Sequence, residues 1–67
     1  MNVTVLLTHT PNGIFTSSPD VKGLVIGETT IADLRRKLPE AIALLMPSAK
    51  SVVEVAHDDV AIRYEVN

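Results

Sequence analysis

The chain contains no cysteine and no tryptophan, and its only aromatic residues are Phe15 and Tyr64. Without cysteine it cannot form a disulfide or a thiolate metal site. Its two histidines, His9 and His57, are too few to build a metal centre without help from carboxylates. The scarcity of aromatic rings also argues against a protein that stacks nucleic-acid bases. We therefore expect neither a metal nor another cofactor.

Long apolar runs and a strong net charge are also missing. The longest apolar stretch, residues 41–46, is too short to cross a bilayer. Residues 1–4 lack the basic and apolar segments of a signal peptide. The net charge is only −2, and no long basic run favours nonspecific nucleic-acid binding. We expect a cytoplasmic protein with no membrane partner and no direct nucleic-acid partner, whose acidic balance suits a basic protein partner.

The length allows one domain, residues 1–67. A fold of this size buries only about 60% of its unfolded surface. Small folds are usually stabilised further by disulfides, a metal or a partner chain. Because the composition excludes disulfides and disfavours a metal site, we expect self-association or a partner protein.

The first half of the chain contains three strand candidates separated by turn signals. Asn12-Gly13 is a strong signal for a type I′ hairpin turn. The Pro-Asp-Val-Lys-Gly segment of residues 19–23 predicts a second turn. The candidates themselves alternate between apolar and polar residues or are β-branched, at residues 3–8, 14–18 and 24–26.

A helix follows, with Thr30 as the predicted N-cap and Asp33 three residues later in a short capping box; Thr29 is an alternative cap. The apolar residues of the segment fall within an arc of roughly 100°, as expected of a helix on a sheet. They are Ile31, Leu34, Leu38, Ala41, Ile42 and Leu45. Leu44 lies off this stripe and either packs under the following loop or extends an interface.

Pro39 interrupts the helical segment. Either the chain breaks and Pro39 begins a second short helix, or one helix continues with a kink. Because the apolar stripe keeps its register through Pro39, we expect one kinked helix that ends before Pro47.

The tail predicts two further strands, residues 51–56 and 60–66, joined by a turn at residues 57–59. The order is therefore βββαββ. We expect an α+β fold in which a small antiparallel or mixed sheet carries the kinked helix on one face. The fourth strand is expected to pair in parallel with the first through a right-handed crossover.

One helix cannot cover both faces of such a sheet, so an uncovered face or an edge needs a partner. We expect a homodimer that uses the last strand as its edge, with Val60, Ile62, Tyr64 and Val66 as the edge residues. The alternative for Tyr64 is a place in the core, because it alternates in phase with its apolar neighbours.

Several segments resemble HicB-like antitoxins. Residues 19–23 resemble the family's Pro-Asp-Leu-Pro-Gly turn, and the Gly-Glu-Thr of residues 27–29 is similar to its Gly-Asp-Thr step into the helix. The helix and its Leu38-Pro39 resemble a short HicB-like subfamily. The resemblance covers roughly residues 3–46. It implies a degraded ribonuclease H-like fold and a partner of the HicA type, a small basic toxin that cleaves messenger RNA.

The resemblance leads to two hypotheses about function. In the first, the chain is an antitoxin that inhibits a HicA-type toxin by protein–protein contact, with Asp20 and Glu28 meeting toxin Lys or Arg. In the second, it is a stand-alone HicB-like module for dimerisation or scaffolding without a toxin. The second arises because the chain after Ser51 predicts only strands and no DNA-reading helix, unlike longer family members.

An enzyme is not expected. A two-metal nuclease gathers several carboxylates around one point, and an active ribonuclease H-like site needs an acidic residue on the first strand. Residues 3–8 contain none.

Overall fold

Five strands form one antiparallel sheet in the computed structural model, which describes residues 1–67. In chain order the elements are β1 (Asn2–Thr10), β2 (Gly13–Ser17), β3 (Gly27–Glu28), α1 (Ile31–Leu45), β4 (Val52–His57) and β5 (Ala61–Val66). In space the strands lie in the order β3-β2-β1-β5-β4, and every neighbouring pair is antiparallel. The expected α+β class, a small sheet with one helix, is confirmed.

The core lies between α1 and the sheet. Alternate residues of the strands point to it, as the two-residue period of a strand requires. Leu34, Leu38 and Ile42 of α1 are completely buried against them. The other members of the core cluster are Val3, Val5, Leu7, Ile14, Val21, Leu24, Ile62, Tyr64 and Val66. Helix α1 lacks the length and apolar character that a membrane crossing requires.

The turn between β1 and β2 consists of Pro11 and Asn12, because Thr10 pairs directly with Gly13. The hydroxyl of Thr10 accepts the N–H of Asn12 at 3.2 Å and donates to the carbonyl of Gly13 at 3.0 Å. A type I′ turn requires a positive φ at both central residues, and no residue other than glycine has one. The predicted Asn12-Gly13 type I′ turn is therefore wrong, although the hairpin itself forms.

Side chains continue the sheet beside β1 where β2 ends. The Ser18 hydroxyl donates to the carbonyl of Thr4 at 2.6 Å, and the Asp20 carboxylate accepts the Thr4 N–H at 2.8 Å. The Asp20 N–H in turn donates to the Ser18 hydroxyl at 3.1 Å. This loop thus satisfies backbone groups of β1 that a longer β2 would have paired.

The third strand lies later than predicted, at Gly27–Glu28 and not at residues 24–26. The Leu24 side chain is buried in the core, which turns this part of the chain away from β2. The Ile26 carbonyl accepts the Thr16 N–H at 2.9 Å and the Thr16 hydroxyl at 3.0 Å. Only from Ile26 onward does the chain run beside β2. The ladder is short because burial of Leu24 competes with strand pairing.

Helix α1 begins as predicted. The Thr30 hydroxyl accepts the Asp33 N–H at 3.1 Å, which identifies Thr30 as the N-cap. The helix continues through Pro39 and ends at Leu45, before Pro47, so the prediction of one helix is confirmed over that of a break. Leu44 is 82% exposed, which excludes the alternative that it packs under the following loop.

Strand β5, and not β4, lies beside β1. β1 pairs with β5 through Val5 and Ile62, and β4 pairs with the other side of β5 through Glu54 and Tyr64. β4 runs in the same direction as β1, but the predicted parallel pairing of the two is wrong. The physical reason is polarity: the inward side chains of β4 include Glu54 and His57, which can remain hydrated only at the edge.

The predicted dimer edge is therefore wrong as well. Ile62, Tyr64 and Val66 point into the core and are almost completely buried. Val60 is exposed but precedes β5 in the turn. The alternative that Tyr64 fills the core is the one the structure shows.

Candidate protein-binding surface

The sheet has one face that no element of the chain covers. We call it the outer face, and its side chains alternate with the buried ones that point to α1. Its exposed large apolar residues are Leu6, Phe15, Val53 and Val55, whose exposed fractions are 42%, 46%, 56% and 65%. Several such residues on one open face of a small domain are typical of an interaction surface.

Phe15 and Leu6 form one apolar part of the outer face. The Phe15 ring lies against the backbone of β3, so closely that a Cβ on Gly27 would be 2.7 Å from the ring Cε1. Leu6 lies between Ser17 of β2 and the small side chain of Ala61 of β5 in the strand register. The lack of a side chain at position 27 thus leaves the space that the Phe15 ring occupies beside β3.

Val53 and Val55 form a second apolar part on β4. The register between β4 and β5 shifts between Glu54 and Ala56, so Val55 is an extra residue in a β-bulge. Val55 lines a groove of the outer face together with Thr4 and Arg63. Both valines therefore point outward, as the two-residue period of a strand requires, and the bulge does not change this.

Charged side chains separate the two apolar parts. Arg63 and Glu65 lie on the outward side of β5, between β1 and β4. The Glu65 carboxylate lies 3.3 Å from the N-terminal ammonium of Met1. The outer face thus carries two apolar parts with charged groups between them.

The structure does not bring Asp20 and Glu28 together. Asp20 lies beside Thr4, whereas Glu28 is in register with Ile14 and, through it, with His9. Five residues along β1 separate these positions by about 17 Å. Asp20 is exposed at the end of the sheet, while Glu28 points to the helix side and forms an ion pair with Lys37 at 2.8 Å.

Three consecutive basic residues of α1, at positions 35–37, form separate ion pairs and do not make a single patch. Arg35 makes two hydrogen bonds of 2.8 Å to the Glu54 carboxylate, and these lower the Glu54 pKa. The cations reach three different carboxylates: Arg35 pairs with Glu54, Arg36 with Asp33, and Lys37 with Glu28. Two of these pairs tie the helix to the edge strands β4 and β3.

The residues of the last turn have structural roles. The Asp58 carboxylate accepts the N–H groups of Val60 at 2.8 Å and Ala61 at 2.9 Å, and these bonds lower its pKa. The His9 Nε2–H donates to the carbonyl of Asp59 at 2.7 Å. No group of three or more His, Cys, Asp or Glu side chains is arranged to hold a metal ion.

Tyr64 carries a buried hydroxyl that has no hydrogen-bond partner. Its side chain is buried under α1, and burial raises the pKa of the phenol. An unpaired polar group of this kind lowers stability by its desolvation cost.

We expect Tyr64→Phe to raise the free energy of unfolding by about 1 kcal/mol, because it removes the unpaired hydroxyl and keeps the ring. Urea denaturation followed by circular dichroism measures this. A loss of more than about 1 kcal/mol would show that the hydroxyl has a stabilising partner in solution.

Sequence reasoning expected an uncovered sheet face or edge but did not identify the residues of the outer face. The signal was present in Leu6, which occupies a polar position in the alternation of β1, and in Phe15, which is out of phase with the buried Ile14. With a single helix available, such residues have no partner within the chain.

Comparison of the chain with models of known families, with curated proteins and with solved structures found no match.

Proposed function

We propose that this protein acts by binding another protein through its outer face, as an antitoxin-like inhibitor of a small basic messenger-RNA-cleaving toxin of the HicA type. The observation that supports binding is the uncovered sheet face with Leu6, Phe15, Val53 and Val55 exposed. The motif resemblance of residues 3–46 supplies the class of partner. Inhibition follows if the bound chain covers the surface with which the toxin approaches RNA.

The charge of the chain suits such a partner. Its net charge is −2, and opposite net charges speed the encounter of two proteins. Asp20 remains a predicted contact for a toxin lysine or arginine, because only its Oδ2 is engaged, with Thr4. Glu28 is also retained as a predicted contact, although its pairing with Lys37 must then be exchanged for one with the toxin.

As part of the same proposal, we infer that the chain has a degraded ribonuclease H-like fold. This inference is supported by the succession of the β1–β2 hairpin, the turn at residues 19–23 and a helix capped at Thr30. The tail departs from the expected pattern, because the antiparallel β5 occupies the place beside β1.

We expect an adjacent reading frame to encode a small basic protein, and the test uses that protein. We expect the chain to co-purify with it and to restore growth when that protein is produced as a toxin. Leu6→Lys places a charge in the apolar part of the outer face and should abolish the rescue. Leu44→Lys is the matched control on the helix side and should leave rescue intact.

Either of two results would contradict this proposal. One is the absence of binding and rescue by the unaltered chain. The other is full rescue by Leu6→Lys when circular dichroism shows that the variant is folded.

The second candidate function is a stand-alone HicB-like module for dimerisation or scaffolding. The free edge strand β4 favours it, because an unpaired strand is a ready template for another chain. A gene without a small basic neighbour, together with a homodimer in solution, would favour this candidate over the antitoxin.

A further inference from the structure

Strand β4 is a long free edge of the sheet. The other edge, β3, has only two residues, whereas β4 has six, Val52–His57. Natural proteins commonly protect such an edge with lysine, proline, a β-bulge or an inward-pointing charge. β4 contains no lysine or proline, and three of its six residues are valine. Its bulge lies after Glu54, and the inward Glu54 carboxylate is paired with Arg35, so residues 52–54 remain a regular edge.

The unpaired backbone groups of β4 can be located from its register. Ser51 and Asn67 exchange two backbone hydrogen bonds, each of 3.1 Å. In an antiparallel pair, bonded and non-bonded residues alternate. Val53 therefore bonds to β5, while Val52 and Glu54 direct their N–H and C=O groups away from the sheet.

We propose that two copies of this chain pair through β4, antiparallel, about a two-fold axis at Val53. In this register, Val52 of one copy exchanges two hydrogen bonds with Glu54 of the other, and symmetry gives four in total. An isologous contact of this kind closes on itself and yields a dimer. The pairing does not depend on the identity of any toxin.

The neighbouring registers are less favourable. An axis at Glu54 places the two Glu54 carboxylates directly opposite each other, where like charges destabilise. An axis at Val52 requires the backbone N–H of Lys50, which already donates to the carbonyl of Asn67. The bulge at Val55 ends regular pairing on the other side, so residues 51–55 of each copy form the contact.

The side chains fit the Val53 register. On the outer face the two Val53 side chains meet as a non-hydrogen-bonded pair, the closer of the two kinds of cross-strand pair. On the other face each Glu54 lies opposite Val52 and retains its own Arg35 as a counter-charge. A groove lined by Pro39, Ala43 and Val52 runs beside this edge and leaves space for the second copy.

The result is a ten-stranded sheet whose two outer faces are continuous. This retains the expected homodimer but moves its contact from residues 60–66 to β4. Five residues from each copy bury less than the roughly 1,200 Å² of a standard interface, so the dimer should dissociate on dilution.

The first measurement is amide hydrogen exchange by NMR on the unaltered chain at low and high concentration. The Val52 and Glu54 amides should exchange roughly two- to five-fold more slowly at about 1 mM than at about 20 µM, because a weak dimer lowers the monomer fraction by about this factor. The Val53 amide is the internal control, because its bond to β5 protects it at both concentrations. Equal exchange of Val52 and Glu54 at the two concentrations would overturn the proposal.

The second measurement is sedimentation velocity on variants. Val53→Lys should weaken self-association at least ten-fold, because the two-fold axis sets the lysines opposite each other. Val60→Lys makes the same change at an exposed turn position and should alter association less than two-fold. A monomer at every concentration, or a dimer that survives Val53→Lys and dissociates with Phe15→Lys, would overturn pairing through β4.

Discussion

Leu38→Ala is expected to lower the free energy of unfolding by about 3 to 4 kcal/mol. Leu38 is completely buried between α1 and the sheet. Truncation removes its apolar contacts and leaves a cavity that the rigid helix cannot close. A chain of this length has a total stability of roughly 3 to 10 kcal/mol, so the loss is a large part of it.

Thermal and urea denaturation measure the effect, and the same helix offers a matched control. Leu44→Ala makes the same chemical change at a residue that is 82% exposed, so its effect should stay within about 0.5 kcal/mol. Equal losses for the two variants would mean that α1 does not bury Leu38 in solution.

Gly13→Ala should be nearly as damaging, with a loss of about 3 kcal/mol. Gly13 has a φ of +146°, which side chains rarely adopt, and a Cβ there would lie 2.8 Å from the carbonyl oxygen of Glu28. Both the backbone of β2 and its pairing with β3 would have to shift. Because β3 has only two residues, we expect its pairing to be lost first.

Gly23→Ala separates backbone strain from the clash. Gly23 also has a positive φ, +85°, but a Cβ there meets only the Leu45 side chain, at an ordinary 3.8 Å. Its loss should be about 1 kcal/mol, from strain alone. Denaturation of both variants checks this, and a Gly23→Ala loss equal to that of Gly13→Ala would contradict the role of the Glu28 carbonyl.

Local signals in the sequence predicted the local structure well. The Thr30 cap, the helix through Pro39 and its end before Pro47 were all predictable, because each depends on neighbouring residues. The first hairpin was predictable for the same reason, although the side chain of Thr10 selected a different turn.

The lateral order of the strands could not be read from alternation alone. β4 and β5 both alternate and are joined by a short turn, so either could lie beside β1. The polar residue Glu54, in phase with Val52, was the available signal that β4 belongs at the edge, whereas His57 reaches the same face only because of the bulge. The rule for right-handed crossovers favoured the other order, and the apolar alternation of the last strand directed the predicted dimer contact to residues that are buried.

The sequence predicted that one sheet face would be uncovered, but it did not predict which residues lie on that face. The expectation that one helix leaves a sheet face open followed from the element count. Which residues fill that face depended on strand register, and the extra residue at Val55 is a bulge that no periodicity shows. The predicted acidic contacts Asp20 and Glu28 lie in a loop and on the short strand β3, and the distance between them could not be predicted because it depends on the strand register.

Binding of a partner protein by the outer face is tested most directly by an NMR titration of the isotope-labelled chain with the small basic protein that we expect an adjacent reading frame to encode. We expect the largest amide shifts on β1 and β2 around Leu6 and Phe15, with little change along the exposed side of α1. Shifts centred on α1, or no shifts at saturating partner, would contradict it.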